Sequence, residues 1–214
     1  MITVTNFTSS KLHWNYFLAL EQDLEKTTRY IEFCDANLKV FSIELAHLLF
    51  AAASEVDVLA KSICKIIKPR ASSNNINNYR SIIISSEARF PAPNIAAIEI
   101  SIPRHGMRFR PWENWADDKN PDWWHGYNHV KHERNQYFHE ATLQNALNAM
   151  GALFILNYYY CWLIYTKNRD DYFRSNPDSR ILATRQLQPE SILLRLPEDF
   201  YKNAFQQMAA NMIY

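Results

Sequence analysis

Glycine is nearly missing from this chain. Three glycines in 214 residues leave no glycine-rich loop to cradle a phosphate, and there is no G-x-S-x-G turn to expose a nucleophilic serine. Nucleotide binding by a glycine loop is excluded on that ground. Cysteine is equally scarce. Cys34, Cys64 and Cys161 are odd in number and sit apart inside apolar helical patterns. They read as buried thiols of a reducing compartment, not as a disulfide framework or a zinc site. Excess charge is missing too: 23 basic against 22 acidic residues leave +1. The chain as a whole has no pull toward nucleic acid, so any basic site has to be local. Met1 to Ser10 has no basic stretch followed by an apolar run, so no signal peptide is expected and a cytoplasmic location is.

What is present is apolar surface, 48% of the residues, enough for a sizeable core. Leu12 to about Cys34 reads as a helix with Leu12, Tyr16, Leu20, Leu24, Thr27 and Ile31 on one stripe and Ser9 or Ser10 as its cap. Asp35 to Lys68 reads as a longer helix with a seam of Leu38, Phe41, Leu45, Leu48, Ala52, Val56, Leu59, Ile63 and Ile66, stopped by Pro69. Two such helices in succession predict an antiparallel pair. A polar loop, 70–78, leads to a short helix over Tyr79 to Phe90. Glu140 to Lys167 reads as a long helix with Leu143, Leu147, Met150, Phe154, Tyr158, Cys161 and Tyr165 in line. Within it, Met150 to Tyr165 is shorter than the ~20 residues of a membrane span and carries Asn157 mid-run. It reads as a central buried helix, with peripheral membrane contact the weaker alternative, and no membrane partner is expected. The tail ends in a β-like run, Ile192 to Leu196, and a last helix from Glu198.

Between the helices the period changes. Ile98, Ile100 and Ile102 alternate with polar residues, as do Met107 and Phe109, and Pro103-Arg104-His105-Gly106 lies between them. This is a β-hairpin bounded by Pro103 and Pro111, an edge or isolated one. Arg104, His105, Arg108 and Arg110 make it the most basic patch in the chain. Either these are ordinary solvated faces or the hairpin contacts RNA phosphates through Arg104, Arg108 and Arg110. Trp112, Trp115, Trp123 and Trp124 follow. They can stack bases, but packing under a long loop is the preferred reading.

The stretch from Trp123 to His139 holds four of the seven histidines. Read as one helix it places Trp123, Tyr127, Val130, Arg134 and Tyr137 on a core-facing seam. An arginine there needs a carboxylate partner or a site. Glu55, on the flank of the second helix, reads by default as a solvated flank charge; the functional alternative makes it the partner of Arg134. His125, His129 and His132 at i, i+4 and i+7 offer two ligands to a metal but reach poorly for three, so no metal site is expected. Arg134-Asn135 followed by His139 is a different signal. An imidazole shuttles protons at neutral pH, and a guanidinium stabilises charge on a pentavalent phosphorus. On one straight helix the two would diverge by about 140°. Either the helix breaks near Asn135 or two chains build one site.

At Arg134, Asn135 and His139 the sequence resembles the HEPN family, whose ribonuclease members carry R-x(4–6)-H, often with asparagine after the arginine. The order of long helices before and after the motif, over roughly residues 11–168, is similar as well. The resemblance implies a mainly α fold, an HEPN-like up-and-down helical bundle over 1–168. The hairpin at about 95–111 is an insertion, and 169–214 is a C-terminal extension packed on the bundle or an interface. It implies a metal-independent endoribonuclease of a toxin–antitoxin or antiphage defence system, a homodimer with a composite cleft, and a cognate antitoxin as partner. No cofactor is implied. Arg134 and His139 would be catalytic and Asn135 orienting. Asn128, Lys131 and His132 would line the cleft, and Glu55 would be the acidic residue near the arginine. The alternative is a non-catalytic HEPN-like module that binds RNA, a nucleotide or a partner protein.

Overall fold

The computed structural model describes residues 8–90, 92, 94–172, 187, 189–198 and 200, with side chains from 12 to 164 and in those tail residues. The fold is mainly helical with one small hairpin. Its α-helices among the described residues are α1 (Thr8–Thr27), α2 (Ile43–Ile67), α3 (Ile76–Ile84), α4 (Asp122–His132), α5 (Arg134–Tyr137) and α6 (Leu143–Tyr172). The hairpin is β1 (Ile100–Ile102) with β2 (Met107–Phe109).

The two central helices are α2 and α6, which make the most extensive contact in the molecule. They start side by side. Phe41 forms an antiparallel bridge with Thr142, and the N–H groups of Leu143 and Gln144 donate to the carbonyls of Val40 and Leu38. α1 runs back along both: its start meets Glu55 and Tyr160 through His13. α4 rises against the start of α6, where a Cβ on Gly126 would lie 2.5 Å from Asn145 Nδ2. The order α1, α2, α4, α6 is therefore up, down, up, down, as expected.

The seam of α2 is the expected one from Leu45 to Ile63, but its start is not. Ser42 caps the helix by accepting from Leu45 N–H, and 35–37 form a separate 3₁₀ turn. α1 differs more. It already runs through Ser9 and Ser10, so neither caps it, and it ends at Thr27. Leu20, Leu24 and Thr27 of the expected stripe are buried, but Leu12 and Tyr16 are exposed, and Trp14, Phe17 and Glu21 are buried beside the stripe. The reason is aromatic packing: Trp14 and Phe17 stack on each other at 4.9 Å and on Phe154 at 6.0 and 5.1 Å. α3 starts three residues before expectation because Asn75 caps it, accepting from Asn78 N–H at 3.0 Å.

The hairpin pairs Ile100 with Phe109, Ser101 with Arg108 and Ile102 with Met107. Gly106 closes it at φ +65°, a conformation other residues adopt at a cost. It lies close on α6: a Cβ on Gly151 would meet Phe109 at 2.6 Å. The hairpin is not isolated, since Ser101 and Arg195 exchange both backbone hydrogen bonds. That bridge anchors the tail. Glu21, buried in α1, accepts the N–H groups of Ile192, Leu193 and Leu194 and the Ser191 hydroxyl. Leu193, Leu194, Leu196 and Phe200 join the main core, so the described part of the extension packs on the bundle. α6 itself continues past 168 to Tyr172. The helix expected from Glu198 lies, beyond Phe200, outside the described residues.

Leu143–Ile164 is long and apolar enough to cross a membrane, 22 residues rather than the shorter run read from the sequence. Its window is 78% buried against α1, α2, α4, the hairpin and the tail. Asn157 within it is buried, its amide donating to Leu153 O.

Candidate functional site

The four loop tryptophans are packing, in line with the preferred reading. Trp112, Trp115, Trp123 and Trp124 are all buried. Ring contacts run from Trp112 through Trp123, Trp124 and Tyr127 to Phe50 on α2. This aromatic wall fixes α4 against α2 and α6.

α4 then stops. Glu133 turns the chain at φ −136°, ψ 51°, α5 makes a single turn, and Phe138–Glu140 form a 3₁₀ turn into α6. No glycine or proline breaks the helix here. The break follows from packing: Val130, Ala46 and Ala141 form a small cluster sealed by Phe138 and Phe50, and Phe138 meets Phe41 edge-on at 5.6 Å. A straight helix would carry Phe138 and Ala141 away from α2. The expected break thus exists, at Glu133 rather than Asn135.

Arg134 consequently leaves the seam. It is exposed, not buried, and its guanidinium lies 5.2 Å from the Phe50 ring centroid, a cation–π contact. Glu55 is not its partner. That carboxylate meets His13 Nδ1 at 2.5 Å, with both side chains largely buried. Nor is Glu55 a solvated flank charge. The inference of a buried arginine failed because the 3.6-residue period was carried through a break.

Asn135 and His139 are exposed as well. Among the described residues, the side chains of Arg134, Asn135 and His139 make no hydrogen bond or ion pair, so their polar atoms are open to an incoming ligand. Arg134 and Tyr137 stand three apart on the turn of α5, the spacing of side-chain neighbours. The Tyr137 ring lies 6.4 Å from His139 and 4.6 Å from His129. His129 Nδ1 meets Glu140 Oε2 at 2.9 Å. His125 stands one turn back at 6.5 Å. The result is a set of exposed His129 and His139 with half-buried Tyr137 and Glu140 on the break between α4 and α6, and exposed Arg134 one helical turn from Tyr137.

The other expected cleft residues divide. Lys131 stays on the Tyr127 side, its ammonium 3.1 Å from the phenol oxygen and over the ring. Asn128 donates to Trp124 O within α4. His132 is exposed at the end of the helix. The sequence pointed to His139 but not to the His129–Glu140 pair. Those two are eleven residues apart; on one straight helix they would share a face but stand about 16 Å apart, so only the break brings them into contact. No three metal-ligating side chains converge among the described residues.

The hairpin cations are exposed but not unopposed. Arg104 pairs with Glu25 at 3.1 Å, and Arg108 and Arg110 share Glu99 at 3.3 and 3.9 Å. His105 is turned inward, its side chain 7% exposed, 3.6 Å from Glu32. The patch is close to neutral as folded.

Buried thiols match expectation in part. Cys64 and Cys161 are buried, and burial pushes each thiol up to about 12. Cys34 is half-buried. Comparison with family models, with curated proteins and with solved structures found no match.

Proposed function

We propose that the chain is a metal-independent endoribonuclease of the HEPN-like type, acting in a toxin–antitoxin or antiphage defence system. The observation that carries this reading is the set at the α4–α6 break. Arg134 and His139 stand there with their polar atoms unengaged, on either side of Tyr137 in the chain. In the reaction the 2′-hydroxyl of RNA attacks its own phosphorus, so the substrate supplies the nucleophile. His139 moves a proton, Arg134 stabilises the charge on phosphorus, and Asn135 orients the phosphate. Tyr137 offers a ring on which a base can stack. The hairpin arginines are exposed enough to trade their carboxylates for phosphates, because surface ion pairs are weak. A homodimer and a cognate antitoxin protein are the partners this reading implies.

The test is cleavage of labelled RNA pools with EDTA present. Wild type is expected to leave 2′,3′-cyclic ends, and Arg134→Ala and His139→Ala to lose cleavage by on the order of 100-fold or more. Full activity in His139→Ala sinks the reading.

One observation favours the rival, a non-catalytic module that binds RNA, a nucleotide or a partner protein. The Arg134 guanidinium lies over Phe50, where it serves packing. A gel shift of RNA by wild type without any cleavage selects that reading.

A further inference from the structure

His129 and Glu140 form a histidine–carboxylate pair that the R-x(4)-H motif does not include. The imidazole is held through Nδ1 at 2.9 Å from the carboxylate. Its side chain is 46% exposed, against 27% for Glu140. One ring nitrogen is engaged and the other is left for solvent or substrate. The engaged nitrogen fixes the tautomer: Nδ1–H donates to Glu140, and Nε2 presents a lone pair.

The surroundings of His129 are known on each side. Tyr137 of α5 covers one face at 4.6 Å. His125 lies one turn back on α4. Glu133 is joined to His129 only through the backbone, its N–H donating to the His129 carbonyl. α2 presents Ala46 and Phe50 toward this end of α4, and the first turn of α6 has no acidic residue. Glu140 is thus the acidic group that faces the ring. Its backbone is fixed independently, its carbonyl accepting from Asn145 Nδ2 at 2.8 Å.

We propose that His129 is the general base of this site, with Glu140 its positioning residue and His139 the general acid. The proposal rests on the ribonuclease reading above. His129 Nε2 takes the proton of the 2′-hydroxyl as the 2′-oxygen bonds to phosphorus. The imidazolium so formed is stabilised by the Glu140 carboxylate. The bond from phosphorus to the 5′-oxygen breaks, and His139 gives that oxygen its proton. The products are a 2′,3′-cyclic phosphate and a 5′-hydroxyl, so atoms and charge balance without a metal or cofactor. Both imidazoles neighbour the Tyr137 ring, at 4.6 and 6.4 Å, which places an acid and a base on one short segment of one chain.

The experiment uses the full chain and two substrates: an RNA oligonucleotide, and uridine 3′-(4-nitrophenyl phosphate), whose leaving group needs no proton. His129→Ala is expected to lose about 100-fold or more on both substrates, the scale of general acid–base catalysis. His139→Ala is expected to lose as much on RNA and to recover on the nitrophenyl ester. Glu140→Gln should lower kcat on the order of 10-fold with KM unchanged. The pH–rate profile of wild type should be bell-shaped, and His129→Ala should lose its acidic limb, since the base works unprotonated. His129→Gln, checked by circular dichroism, guards against a folding defect. Wild-type rates in both His129 variants, with Arg134 and His139 still required, overturn the base assignment and leave the ribonuclease reading standing. Recovery of His129→Ala on the nitrophenyl ester overturns the assignment of roles. No cleavage by wild type overturns both.

Discussion

Of the three histidine–glutamate pairs among the described residues, the two closest, His13–Glu55 and His129–Glu140, differ in almost everything except chemistry. His13–Glu55 ties α1 to α2 across 42 residues of sequence. Its side chains are 11% and 16% exposed, and Tyr160 meets the imidazole edge-on at 5.2 Å. His129–Glu140 bridges a chain break and stands open. The first has a closed environment and holds two helices in register. The second has a free imidazole nitrogen beside other unengaged polar groups. Pairing chemistry alone does not mark a site; access does.

The comparison is sharpened first at the open pair. Replacing His129 or His139 by alanine should cost cleavage by about 100-fold or more while leaving the melting temperature within a degree or two of wild type. A melting temperature that falls with activity would make the pair structural and erase the contrast.

The next effect belongs to a buried carboxylate that resembles Glu55 in burial and not in partner. Glu21→Ala leaves the N–H groups of Ile192 and Leu193 without their acceptor and that of Leu194 with the Ser191 hydroxyl oxygen alone. The expected loss is about 3 kcal/mol in urea unfolding, with faster proteolysis near Ser191. An unchanged cleavage rate of the tail by protease would show that Glu21 does not hold it.

A double-mutant cycle then sets the two histidine pairs side by side. The coupling between His13 and Glu55 should be about 1.5–3 kcal/mol, as for a buried hydrogen bond to a charged group. That between His129 and Glu140 should be below about 1 kcal/mol, as for a surface pair. Equal couplings would break the comparison.

The smallest effect is in the thiols. The Cys64 and Cys161 thiols are raised to about 12 by burial. The folded state therefore keeps protons that the unfolded state has released above about pH 9. Stability is unaffected below that pH and falls as pH rises from about 9 toward 12. At pH 8, iodoacetamide should label the half-buried Cys34 well ahead of both. Labelling of all three at one rate would contradict their burial.

How far the sequence was legible follows from where its signals were local. The seam of α2 was readable because every residue from Leu45 to Ile63 obeys one period and faces one partner layer. The hairpin was readable because two alternating runs flank a proline and a glycine. The start of α1 was misread, while Leu20, Leu24 and Thr27 were read rightly, because two stripes compete there and Leu12 and Tyr16 fit the period as well as Trp14 and Phe17 do. Stacking on Phe154 chose between them. Glu21 stands in the buried face of α1 because three N–H groups of a tail 170 residues away need an acceptor, and no local pattern announces that.

The site divides in the same way. The residue types and the spacing of Arg134, Asn135 and His139 were written in the sequence, and so was the scarcity of glycine that excludes a phosphate-cradling loop. The long helix read over Glu140 to Lys167, with its apolar run Met150 to Tyr165, was also legible as a core element. Only the tertiary structure decided that α4 ends at His132, because Phe138 and Ala141 gain more by packing on α2 than one further helical turn would give. That break moved Arg134 out of the core and brought Glu140 to His129. Helical periodicity reports the neighbours of a residue only while the helix lasts.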